Sequence, residues 1–159
     1  MNLKNFVLPC VLILFSVVGC SRQLKPDGFP PLYPVSVLVI QDGKPLGGAL
    51  VSLHGTENSP LKWGVFAETD SNGKAVFVTH GKFYGAPEGE YLITVAKEEL
   101  VEVANRGGNG ATDSFTLIEK QYTDREQTPY RIHIQKKSKN HVELDVGKPV
   151  REFLGRNVA

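Results

Sequence analysis

An all-β sandwich is the fold that this sequence predicts, and three observations point to it. Short apolar stretches alternate with polar residues, turn signals recur about every 8 to 12 residues, and the 159 residues include 16 glycines and 10 prolines, above average usage for that pair. No stretch beyond residue 34 shows the i, i+3, i+4 spacing of an amphipathic helix. The strands follow in order. Residues 35–40 are rich in β-branched side chains, and Asp42-Gly43 supplies a turn. Residues 49–53 place Ala49, Val51 and Leu53 on one face. A third strand covers 63–69, and Asp70-Ser-Asn-Gly73 turns the chain because glycine accepts positive φ at no steric cost. A single strand is expected over 74–79, and 90–96 aligns Tyr91, Ile93 and Val95. The last two strands put Tyr130, Ile132 and Ile134 on one face and Val142, Leu144 and Val146 on another. A short lysine-rich connection predicts that these two form a hairpin, with His133 opposite Glu143. The total is seven strands between 35 and 150, with 151–159 as a C-terminal tail.

Residues 1–34 have a different composition. Lys4 precedes an apolar run from Phe6 to Val18, too short for a membrane span of about 20 residues and suited to a signal-peptide core. Val17-Val18-Gly19-Cys20 resembles the lipobox of bacterial lipoproteins, although Val18 stands where a small residue is usual. The resemblance implies cleavage after residue 19 and thioether attachment of diacylglycerol at Cys20. Fatty acyl chains such as palmitate then bind the membrane, each buried CH₂ contributing about 0.8 kcal/mol. Cys10 lies in the segment removed, so the mature domain has no internal disulfide. Residues 21–34 carry Pro26, Pro30, Pro31 and Pro34 and read as an extended tether, its far end packing on the domain through Phe29, Leu32 and Tyr33. Ser21 after the lipidated cysteine is not an inner-membrane retention signal by analogy with lipoproteins. The expected location is the outer membrane, facing the periplasm or the exterior.

Three motifs in order carry a second resemblance: Asp42-Gly-Lys-Pro-Leu-Gly-Gly-Ala-Leu-Val51, Thr69-Asp-Ser-Asn-Gly-Lys-Ala-Val-Phe77 and Pro87-Glu-Gly-Glu-Tyr-Leu-Ile-Thr-Val95. Together they are similar to carboxypeptidase-regulatory-like, or transthyretin-like, domains, and Leu117, Tyr122 and Thr128-Pro129 with the closing strands also look like small lipoproteins of planctomycete type. The family implies a seven-stranded prealbumin-like (Ig-like) sandwich and no agreed activity. Fold alone assigns no function.

Charge and chemistry narrow the reading. The chain has 18 basic and 17 acidic residues, and removing residues 1–19 takes away Lys4 and balances them, which argues against nucleic acid as a partner. His54, His80, His133 and His141 fall in no metal-ligand spacing. Asp70-Ser-Asn-Gly73 has its glycine too early for a calcium loop. Arg106-Gly-Gly-Asn-Gly110 lacks the lysine of a phosphate-binding loop, and no Gly-x-Ser-x-Gly elbow occurs. The Tyr-Arg-Gly-Ser ending of transthyretin-like hydrolases is also missing; residues 153–159 read Phe-Leu-Gly-Arg-Asn-Val-Ala. The sequence therefore predicts no enzyme, no cofactor, no metal site, and Cys20 as lipid attachment site. The expected function is a membrane-anchored envelope lipoprotein whose sandwich is an interaction or structural module, with an envelope protein or glycan as partner. Glycan or small-ligand binding is the alternative, with Trp63, Phe83 and Tyr84 as its aromatic candidates. Residues 97–128 read as a long irregular loop, mobile over 98–112, which together with loops 58–63 and 81–88 either forms a recognition surface or only covers sheet edges.

Overall fold

The computed structural model describes residues 24–103, 111–137 and 139–158. The expected signal segment, Cys20 and the Arg106–Gly110 stretch lie outside them.

Alternating burial builds the first sheet around one strand. β1 (Val35–Gln41) turns Val35, Val37 and Val39 into the core. The turn at Asp42-Gly43 leads to β2 (Lys44–Pro45), and β3 (Leu50–Gly55) and β4 (Val65–Glu68) follow as an antiparallel pair. Asp70 then makes a tight turn whose Oδ1 accepts from the amides of Asn72 at 2.8 Å and Lys74 at 2.9 Å. Both bonds favour the ionised carboxylate, the Lys74 amide most, and hold its pKa below the usual range. Gly73 at φ 71 lies against the Val39 carbonyl, where a Cβ would collide.

The strand expected over 74–79 is two strands in two sheets. β5 (Lys74–Val76) pairs with β1, and β6 (Val78–Thr79) pairs with β4. The chain changes sheets at Phe77, which is fully buried; its amide donates to Val35 at 3.0 Å, and its carbonyl accepts from Gly85 at 2.7 Å. β7 (Phe83–Tyr84) and β8 (Gly89–Ala96) complete this part of the fold.

Residues 98–103 and 111–116 are strands, not parts of an irregular loop. β9 (Glu98–Val103) and β10 (Ala111–Thr116) are antiparallel partners. A short helix, α1 (Lys120–Thr123), precedes β11 (Arg131–Ile134) and β12 (Asn140–Asp145). The stretch read as a tail forms β13 (Glu152–Val158) and pairs with β10.

The 131–145 hairpin is corrected as well. β11 pairs antiparallel with β8, which puts His133 opposite Glu90, whereas β12 pairs parallel with β1. Both strands turn apolar faces to the same core from opposite sides, so matching faces do not imply pairing. Asn140, 3% exposed, secures the crossover: its side chain accepts from the Gln135 amide at 3.0 Å and donates to the carbonyls of Gln135 at 3.2 Å and Pro34 at 3.1 Å.

The described residues thus form three sheets: a four-stranded one of β12, β1, β2 and β5, a six-stranded one ordered β11-β8-β3-β4-β6-β7, and a three-stranded one ordered β13-β10-β9. The first two enclose one core, including Val37, Val39 and Leu144 from one side and Val51, Ile93 and Ile134 from the other. The third extends from the end of β8, joined to the body where Lys97 Nζ donates to the Gly47 carbonyl at 2.8 Å and Gln41 Nε2 donates to the Leu117 carbonyl at 3.0 Å. The seven-strand count is too low because it misses these peripheral strands and the split at Phe77.

Candidate functional site

Strand register brings the tether and four connections to one end of the sandwich. Val35 pairs with Asn140, Gly55 with Tyr91, Ile134 with Gly89, and Val65 with Thr79. The tether, loop 56–64, the 80–82 turn, segment 85–88 and crossover 135–139 therefore adjoin one another. Tyr33 and Ala86 form a two-way backbone bridge, 2.9 and 3.0 Å. Gly85 makes this approach possible: it has φ 97, and a Cβ there would sit 2.5 Å from the Tyr33 carbonyl oxygen.

Phe29 anchors the tether by aromatic packing. Its ring centroid lies 4.9 Å from that of Trp63 and 4.7 Å from that of Phe83, both tilted, the geometry aromatic quadrupoles favour. Lys25 stands 5.6 Å from the Phe29 ring, and Lys62 5.0 Å from the Trp63 ring. The expected docking through Phe29, Leu32 and Tyr33 thus has Phe29 and Tyr33 as its structural contacts, and Leu32 is half-buried. Beside it opens a cleft of about 440 Å³ lined by Gly28, Pro30, Pro60, Trp63, Glu88 and Tyr91, among others. The Tyr91 hydroxyl donates to the carbonyls of Glu88 at 3.0 Å and Pro87 at 3.2 Å. Burial, then the Glu88 charge, raises its pKa. Ser59 accepts from the Glu90 amide at 3.0 Å. These contacts brace the loop and set no nucleophile beside a base.

The aromatic candidates separate. Trp63 is half-buried and Phe83 buried, both against the chain's own tether, and Tyr84 alone is largely exposed, at 79%. Loops 58–63 and 81–88 do come together, but β9 and β10 do not join them: β9 leaves from the opposite end of β8.

The histidines are dispersed. His54 Nε2 lies 2.8 Å from the Thr94 hydroxyl, and burial, with the nearby Arg125 charge, lowers its pKa. His80 occupies a turn at φ 55. His133 Nδ1 lies 3.3 Å from Glu90 on an exposed surface. His141 Nδ1 is 2.9 Å from the Ser36 hydroxyl in a groove of about 630 Å³ that also includes Tyr84 and Asp70. Among the described residues no carboxylate hydrogen-bonds the other His141 nitrogen, and none of the His, Cys, Asp and Glu side chains gather in threes around a metal-sized space. No helix among them is long and apolar enough to cross a membrane.

The three-stranded sheet is a second candidate surface. Leu100 and Leu154, on one face, are 66% and 54% exposed, and Phe153 on the other is 57% exposed. Phe153 meets Phe115 edge-on at 5.6 Å, and the Arg151 guanidinium lies 3.6 Å from the Phe115 centroid. Arg156 holds Asp113 through two bonds, 2.5 and 2.8 Å, and that hydrogen-bonded pair keeps the carboxyl pKa below its ordinary value. The sequence reading placed a recognition surface within 97–128 but took it for an irregular loop and 151–159 for a tail, although the Val101 and Val103 alternation before a glycine-rich stretch was a usable signal for a strand.

No protein-family model, curated protein or solved structure matches the chain at a significant level. The transthyretin-like resemblance therefore stands on the three motifs alone.

Proposed function

We propose that the chain is a lipid-anchored protein of the bacterial envelope, attached through Cys20, whose sandwich is a non-catalytic interaction module for another envelope protein. The observation that carries the interaction reading is the three-stranded sheet. Leu100, Phe153 and Leu154 are each more than half exposed, on a sheet whose outer strands β9 and β13 both have an unpaired edge among the described residues. Leu100 and Leu154 share one face and Phe153 lies on the other, so each face presents exposed apolar side chains to a partner amid charged neighbours. Glu98, Glu99 and Glu102 guard the β9 edge against indiscriminate pairing. The anchor reading rests on the Gly19-Cys20 motif after its apolar run, and the docked tether supports it by making residue 29 the start of the folded body.

A prealbumin-like topology is part of the same reading. What supports it is where the three motifs fall: Asp42-Gly43 turns β1 into β2, Asp70–Gly73 turns into β5, and Pro87-Glu-Gly-Glu-Tyr91 leads into β8. Trp63 and Phe83 already hold Phe29, which leaves Tyr84 as the one largely exposed ring of the three aromatic candidates for the glycan alternative.

Intact mass spectrometry of the protein extracted from membranes tests the anchor. The expected species begins at Cys20 and carries the added mass of a diacylglyceryl group. An unmodified chain, or one cut elsewhere, would refute it.

A further inference from the structure

We infer that the tether end of the sandwich is a basic surface that lies against anionic lipid headgroups; this inference rests on the lipid-anchor reading. The connections gathered there carry Lys25, Lys62, Lys82, Lys136, Lys137 and Lys139, all exposed, against Asp27, Glu57 and Glu88. The chain that follows residue 19 is balanced in charge, so an excess at this end leaves an acidic excess elsewhere in the chain. Among the described residues Lys136 alone of the six forms an ion pair, with Glu88 at 3.2 Å. The other five form no ion pair there, Lys25 and Lys62 standing over the Phe29 and Trp63 rings and Lys82, Lys137 and Lys139 facing solvent.

Geometry selects which partner. Phe29 is fixed between Trp63 and Phe83, which leaves nine residue steps from Cys20, at most about 30 Å of extended chain. A tether docked as far as residue 29 holds the body nearer to the bilayer than the full run to Pro34 would. It also leaves from the lysine-rich end, so the anchor presents that end to the headgroups. Lysines near an anionic surface each add on the order of fivefold to local partitioning, the equivalent of about 1 kcal/mol. Attraction of this kind fades within about 8 Å at physiological salt, well inside the reach of the shortened tether. The glycerol phosphates of an anionic lipid supply the matching charge.

Trp63 is the only tryptophan and lies at this end, which provides the test. The full lipoprotein is reconstituted into vesicles with spin-labelled headgroups, either phosphatidylcholine alone or mixed with phosphatidylglycerol. Flotation and Trp63 quenching are then read together. We expect flotation with both vesicles and quenching severalfold stronger on the anionic ones. High salt, or a triple Lys82→Glu, Lys137→Glu, Lys139→Glu variant, should return it to the phosphatidylcholine level. All three positions are exposed, so the variant leaves the core intact. Flotation on both vesicles with quenching indifferent to lipid charge, salt and variant would overturn the basic surface and leave the anchor standing. Quenching that depends on protein density and not on lipid charge would assign the lysines to a second copy, which also overturns it. Failure to float on phosphatidylcholine with flotation on anionic vesicles would refute the anchor and retain the surface.

Discussion

The two ends of this molecule treat apolar side chains in opposite ways. At the tether end Phe29, Trp63 and Phe83 close on one another, and the Tyr33–Ala86 bridge and Asn140 clamp bind the same region into the sandwich. In the three-stranded sheet Leu100, Phe153 and Leu154 face solvent, and exposed contacts such as Arg151 with Glu99 at 2.7 Å hold the strands. The first region shares the core that stabilises the fold; the second is held mainly by its own pairing. Elements with few buried apolar contacts open at lower free energy, so the third sheet has room to rearrange on binding while the tether end stays shut.

Substitutions sharpen that contrast in order of effect. Phe77→Ala leaves a cavity where the chain changes sheets and should cost about 3–5 kcal/mol, read as a lower denaturant midpoint; a loss below about 1 kcal/mol would mean that the two sheets do not share this core. Phe29→Ala should cost about 1–2 kcal/mol, since the ring is half-buried. Its more specific signature is local: Trp63 emission shifts red and residues 24–34 become sensitive to protease, whereas β1 keeps its protection. Phe153→Ser should stay within about 0.5 kcal/mol, and a cost as large as that of Phe77→Ala would place Phe153 in a core.

His54 supplies the smallest effect. Burial lowers its native pKa from the ordinary 6.5, so the native state disfavours the charged form. Its contribution is intact above pH 6.5, declines as pH falls below that value because only the unfolded chain gains the proton, and levels off below the native pKa. In His54→Gln this part of the stability–pH profile should flatten, and an unchanged slope would trace it to another group.

The inward-facing strands were legible because period-2 patterning marks burial: Ala49, Val51 and Leu53, or Tyr91, Ile93 and Val95, all prove buried. The same pattern does not say which sheet a strand joins, and so β11 and β12 look like a hairpin. Nor does it show a change of sheet within one run, as at Phe77. The third sheet was hidden for the opposite reason. It buries neither face in the main core, so Glu98 to Val103 mixes charge and apolar residues without a clean stripe. Phe29 was visible as an apolar residue in a proline-rich tether, but its partners Trp63 and Phe83 come from distant loops that only the topology brings together. Asn140, an ordinary polar residue in the sequence, gave no sign of its three hydrogen bonds.

Photo-crosslinking in living cells tests the division of labour most directly. A photoreactive residue replaces Leu154 in one version of the full-length protein and Lys62 in another, and crosslinked products are identified by mass. The account predicts a discrete protein adduct from position 154 and lipid adducts from position 62. A protein partner captured only from position 62, with none from 154, would contradict it.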